Sequence, residues 1–360
     1  MRILFMVMLF LHLLIHLIGF AKANQWMDTA SGTKMISQTQ GILWLLVSIL
    51  LLVTIILFIL RKPAWILLSI PVVITSQILI ILNWDEAKYG TIFNLIILIV
   101  LIFSVAGWKF ENKYKEDKVQ AILSNPGNNE IISKKDLEHL PVIVQNYIVY
   151  SGFVGKPKIE NFQLSFTGEM REQNKKWFKF RSEQLNIIRS PARYFFMKAI
   201  FKGIPTKGYH RYDGITARMT IKPFSIFKVI DIQTSELLIS EMVTWLNDLC
   251  IFSPGALIDK KFAWEEIGEN TVKVKFGSKG KEVSAVLEIN EKGQLINFFS
   301  NDRYSVDHNK QYMFSTPVGG YQNFNGYRLA SYGEAIWHYP EADFVYGKFE
   351  LKKAKYNLHA

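Results

Sequence analysis

One cysteine, Cys250, stands in a chain of 360 residues, which excludes an internal disulfide and any metal site built from several thiolates. Its neighbourhood, CIF, is apolar, a packing position rather than that of an activated thiolate. The chain lacks a Gly-rich strand-to-helix fingerprint, so no dinucleotide or phosphate cradle is marked. It also lacks the GxSxG elbow that would set a serine beside a base and an oxyanion hole. Basic residues outnumber acidic ones, 42 to 31, yet they are scattered. KKWFKFR at 175–181 is only a short strand-like segment, so the net charge of +11 points to anionic lipid headgroups rather than to nucleic acid. No cofactor, metal centre or nucleic-acid partner is expected.

What the chain does have is four long apolar runs before residue 109, with only six Lys/Arg and three Asp/Glu among them, against 36 and 28 afterwards. The runs are Ile3–Phe20, Gly41–Leu60, Ala64–Leu82 and Thr91–Trp108. About 20 residues at 1.5 Å each cross a hydrocarbon layer, and unpaired backbone groups in lipid make helices the expected solution. The first run, followed by AKA at 21–23, reads as a retained helix because it exceeds a signal core in length; a cleaved secretory signal is the alternative.

Arg61 and Lys62 lie between the second and third runs, and Lys109, Lys113, Lys115 and Lys118 follow the fourth. The other two links carry Lys22, Asp28 and Lys34, then Asp85, Glu86 and Lys88, without a basic excess. Positive residues favour the cytoplasmic side, so both termini and the C-terminal region are expected there, in a multi-pass inner-membrane protein. Trp26, Trp44, Trp65, Trp84 and Trp108 are available as interfacial anchors or as packing residues within the bundle. His12 and His16 share one helix face, a spacing that permits a metal, haem or proton-relay pair but equally suits interhelical hydrogen bonding, as do Ser76, Gln77 and Asn94.

Residues 109–134 read as a charged linker interrupted by NPGNN, and 135–360 as an antiparallel-sheet domain, after a transmembrane region over 1–108. Alternation places Val272, Val274 and Phe276 on one strand face, and Val283, Ala285, Leu287 and Ile289 repeat it. Further strands are expected at 177–181, 295–299 and 344–351. SELLISEMVTWLNDLC has helical spacing, with Leu238, Met242, Trp245 and Leu249 inward, Glu236, Ser240 and Asn247 nearer solvent, and Ser235 as cap.

Glu241 and Asp248, seven positions apart on that helix, are the candidate acid/base pair, and the bland alternative is a pair of structural acids. The candidate ligand-binding set is Trp245, Arg303, Tyr304, Tyr327, Arg328, Glu334 and Trp337: arginines suit an anionic headgroup, and aromatic rings suit the apolar part of a ligand.

LPVIVQNYIVYSGFVGKPKIENFQLSFTGEM at 140–170, TSELLISEMVTWLNDLCIFSPGAL at 234–257 and NGYRLASYGEAIW at 325–337 resemble an uncharacterised bacterial multi-span membrane protein family. Glu241, Pro254, Tyr327, Gly333, Glu334 and Trp337 match its pattern positions. The resemblance implies a soluble region like a lipoprotein-carrier half-barrel, a curved antiparallel sheet partly closed by helices, in an α+β domain joined to the four-helix transmembrane bundle. The expected function is non-catalytic binding of a lipid-like or amphipathic ligand, with membrane lipids as partners. The alternatives are a membrane-bound scaffold or regulatory protein with a protein partner, and an acid/base enzyme using Glu241 and Asp248.

Overall fold

The structure is a computed structural model that describes residues 2–27, 35–125, 127, 130–306 and 308–359. Asp28 and Lys34 of the first link, and Pro126, Asn128 and Asn129 of the NPGNN turn, lie outside the described residues. The chain divides into two compact units, Met1–Lys109 and Phe110–Ala360.

In the first unit, α1 (Arg2–Ala23), α2 (Gln38–Ile59), α3 (Ala64–Leu82), the single turn α4 (Trp84–Ala87) and the start of α5 (Gly90–Leu123) follow one another. The helices α1, α2, α3 and α5 are long and apolar enough to cross a membrane, a multi-pass arrangement. Ser37 caps α2 by accepting from the Gln40 N–H, and the chain reverses at Arg61, with φ 57°, before Pro63 opens α3. Gly19 has no side chain where the Trp44 ring lies; a Cβ there would sit 2.6 Å from it. Trp44 and Trp65 are therefore bundle residues, whereas Trp26, Trp84 and Trp108 are exposed.

The second unit begins within α5, which stays helical to Leu123. A 3-10 turn (Lys134–Leu137) and α6 (Val142–Tyr150) precede β1 (Asn161–Met170), β2 (Phe178–Ile187), β3 (Ala192–Phe201), β4 (Ile204–Tyr212), β5 (Ala217–Pro223) and β6 (Ile230–Ile232). Then come α7 (Ser235–Phe252), β7 (Phe262–Gly268), β8 (Thr271–Ser278), β9 (Lys281–Ile289), β10 (Leu295–Ser300), β11 (Tyr304–Ser305), β12 (Lys310–Gln311), β13 (Met313–Ser315), β14 (Val318–Phe324), β15 (Tyr327–His338) and β16 (Asp343–Tyr356). The alternation in β8 and β9 buries Val272, Val274, Phe276, Val283, Ala285, Leu287 and Ile289, as the pattern requires.

The expected curved, partly closed sheet is not what forms. A 14-stranded antiparallel sheet runs β6-β5-β4-β3-β2-β1-β16-β15-β13-β10-β9-β8-β7, with β14 also on β15, and its two ends do not pair with each other. The edge chemistry supplies a reason. β6 is three residues long and carries Asp231, held by Arg218, while β7 exposes Glu265 and Glu266 and has an irregular register before Gly268. Short, charged and irregular edges resist further pairing.

Thr234, rather than Ser235, caps α7, accepting from the Leu237 N–H. Ser240 and Asn247 are buried, contrary to their expected solvent position. Strands from both sides of the sheet order pack on α7, among them β3, β4 and β5, and β9, β10 and β15. A helix covered on more than one face buries polar residues that an amphipathic reading leaves outside.

Candidate functional site

Glu241 and Asp248 do share a face of α7, and that face meets Arg193 on β3. Asp248 Oδ2 accepts from Arg193 Nε at 2.7 Å, Gln184 Nε2 at 2.9 Å and Asn186 Nδ2 at 3.1 Å. Glu241 Oε2 accepts from Arg193 Nη1 at 3.1 Å, and its other oxygen lies 3.1 Å from His210 Nδ1. All three charged side chains are at most 9% exposed. Burial alone would raise the Glu241 carboxyl; the Arg193 charge, followed by His210, outweighs it and holds the group at about 2. A carboxylate fixed in its ionised form and matched by a buried guanidinium is not poised to exchange protons near neutrality. Its evident work is to bind α7 to β2 and β3. Arg193 lay hidden in ARYFFMKAIF, and only the inward alternation of Gln184 and Asn186 on the neighbouring strand signals a buried polar partner.

A second constellation surrounds Arg303. Its guanidinium lies 4.0 Å from the Phe314 ring centre, 5.1 Å from Trp337 and 5.8 Å from Tyr346, and Nη1 donates to the Tyr346 hydroxyl at 3.0 Å. Strand pairing builds this frame, since Phe314 stands opposite Trp337 and Trp337 opposite Phe344. Tyr312 and Tyr339 extend the same aromatic cluster. Arg303 is half-buried; among the described residues no carboxylate stands at ion-pair distance from it, although beyond contact its charge also helps to hold the Glu241 carboxyl low. A partly desolvated guanidinium framed by π-faces retains donors for an anion.

Of the other expected ligand residues, Tyr304 follows Arg303 in the chain, and its backbone N–H donates to Ser240 Oγ at 2.9 Å. Trp245 is fully buried, donating to the Ile187 carbonyl at 2.9 Å and packing on Phe262 and Phe276. Tyr327, at the opposite end of β15 from Trp337, packs on Phe153 and Tyr356. Arg328 lies over Tyr150, and Glu334 accepts from the Tyr332 hydroxyl. The frame thus gathers Arg303 and Trp337 from the expected set, with Tyr304 adjoining, and adds Phe314, Tyr346 and Phe344.

Ser315, His338 and Asp343 form a chain of contacts, Ser315 Oγ to His338 Nε2 at 2.7 Å and His338 Nδ1 to Asp343 at 2.7 Å. The order is that of a nucleophile, a base and its orienting acid. Ser315 is only 2% exposed, however, and its strand is paired on both sides, to Phe299 and to Ile336, which commits the local backbone donors to the ladder. In the first unit, His12 Nε2 lies 3.0 Å from Asn94 Oδ1 and His16 Nε2 lies 2.9 Å from Ser76 Oγ, with Asn94 donating onward to Gln77. These bonds tie α1 to α3 and α5, and no cluster of three or more His, Cys, Asp or Glu able to hold a metal occurs among the described residues.

An open cleft of about 1150 Å³ is lined by charged residues of both signs, among them Lys135, Lys158, Arg189, Asp136, Glu160 and Asp259, together with the apolar Ile159, Ile188, Ala256 and Ile258. The face of the sheet under α7 is filled instead by Trp245, Leu246, Leu249 and Cys250, none of them exposed.

Fold and site together define a multi-pass membrane protein bearing a large antiparallel-sheet domain. The chain belongs to a family of unknown function (DUF6544), whose model matches residues 130–349 and so spans all three stretches that carry the sequence resemblance. No curated protein matches it. Among solved structures it is weakly similar to the LolA superfamily protein NE2245 from Nitrosomonas europaea, at 10% identity and a TM-score of 0.36, over 60% of this chain and 94% of that one.

Proposed function

We propose that the protein is a membrane-anchored, non-catalytic binding protein for an amphipathic ligand with an anionic group, and that Arg303 and its aromatic frame receive that group. The carrying observation is the Arg303 guanidinium set 4.0 Å from Phe314 and 5.1 Å from Trp337 without a carboxylate at ion-pair distance among the described residues. Phe344 and Tyr346 at its margin are half-buried and offer apolar contact to the remainder of such a ligand. The filled face beneath α7 argues for a surface-seated ligand over one enclosed within the sheet. The protein stands in the inner membrane with both termini and the sheet domain cytoplasmic, supported by Arg61, Lys62 and the lysines that follow Trp108.

Native mass spectrometry after gentle detergent extraction tests the reading. The wild-type chain is expected to retain an anionic lipid-like mass that Arg303→Gln loses, with the circular dichroism of the two unchanged. Equal retention by both chains, or a stoichiometric protein partner in place of a lipid-like mass, would contradict it.

A further inference from the structure

Three chain reversals lie side by side at one end of the sheet. Met170 pairs with Phe178 around the β1–β2 tip, Phe201 with Ile204 around the β3–β4 tip, and the Phe224 N–H donates to the Pro205 carbonyl where β5 leaves for the loop to β6. Phe178 and Phe201 touch across the first two, with ring centres 5.2 Å apart. Large apolar side chains project here: Ile200 is 65% exposed, Phe227 59% and Val229 61%. Arg171, Lys175, Lys176, Lys202 and Lys228 stand among them in the three loops, against one carboxylate, Glu172, which reaches Lys202 at 3.9 Å. Asp231, just beyond, holds Lys228 at 3.0 Å. Exposed apolar tips interleaved with lysines are costly on a surface that faces only water.

The same end is where the chain enters the unit. The Phe110 ring lies 4.3 Å from Lys222 Nζ and 5.7 Å from the ring of Phe196, and Lys222 precedes Pro223 at the end of β5. Farther along α5, Ala121 and Ile122 join Leu185, Ile187 and Ala192 at the other end of these strands. Trp108, the last residue of the apolar run, precedes Phe110 by two positions in the chain.

We propose that this end of the sheet is a docking surface for an anionic bilayer: Phe227, Val229 and Ile200 enter the headgroup zone while Lys175, Lys176 and Lys202 meet anionic lipid phosphates. A bilayer is the favoured occupant because hydrophobic helix ends two residues before the first contact at these tips, and because the surplus charge is positive. The surface adjoins the Arg303 frame, since Arg171 lies 5.5 Å from the Phe344 ring centre, but Phe227, Val229, Ile200 and the lysines that would meet lipid stand outside that frame, so either site can fail without the other.

The full chain in lipid nanodiscs provides the test, since its native Cys250 is buried. Phe227→Cys and Ile215→Cys, at positions equally exposed at 59% but on opposite ends of the β4–β5 pair, each receive an environment-sensitive fluorophore. Doxyl-labelled phosphatidylcholine should quench position 227 and leave 215 unaffected, with stronger quenching in discs containing phosphatidylglycerol. In those discs Lys176→Glu should weaken the docking equilibrium roughly fivefold, the factor for removing one basic contact, or more through the added repulsion. Equal quenching at the two positions, no quenching at 227, or quenching insensitive to both lipid charge and Lys176→Glu would overturn the proposal.

Discussion

Arg193 decides what the buried acids of α7 can do. Removing its charge strands Glu241 and Asp248 in a site where each is under a tenth exposed. Arg193→Met is expected to cost about 3–5 kcal/mol, the usual consequence of leaving a buried charge uncompensated; thermal unfolding of the full chain in detergent measures it. The pH response follows from Glu241, whose ordinary value of 4.5 falls to about 2 in the fold. Its stabilising contribution is whole above pH 4.5 and is lost as pH drops toward 2, because only the unfolded chain readily takes the proton in that window. Acid unfolding of wild type and Glu241→Gln should therefore differ in slope between those values, and identical profiles would refute the assignment.

Among the elements, β1 shows how closely the sheet is built. Gly168 pairs with Phe180 on β2 and with Phe349 on β16; a Cβ there would collide with the Lys348 carbonyl and meet the Phe180 ring at 2.8 Å. Gly168→Ala should force the strands apart and cost about 1–3 kcal/mol, read as a lowered melting temperature. The strands β8 and β9 were legible because each has one buried face, which writes itself as alternation. β3 was not: its burial runs unbroken from Ala192 to Met197, so no period of two survives in ARYFFM. The same limit applied to the Arg303 frame, because Phe314, Trp337 and Phe344 come from separate strands and only strand register brings them into line. α7 was recognised by its period, yet its cap fell one residue earlier and its polar face proved buried, since neighbouring strands rather than spacing decide what covers a helix.

For the whole molecule, the apolar spans and their flanking charges were written locally and plainly, whereas the openness of the sheet depends on edges that only the assembled order reveals. The orientation carries its own prediction. A cysteine placed at Lys279, in the exposed β8–β9 turn, should resist a membrane-impermeant maleimide in sealed cells and react once the inner membrane is opened. Labelling in sealed cells would place the domain on the outer face.

The most direct measurement is photo-crosslinking in intact membranes from benzoylphenylalanine installed at Phe344, beside the Arg303 frame. Capture of an anionic lipid-like molecule by the Arg303 chain, and its loss when Arg303→Gln is added, is the predicted result. Capture of a protein, or of the same lipid regardless of Arg303, would contradict the account.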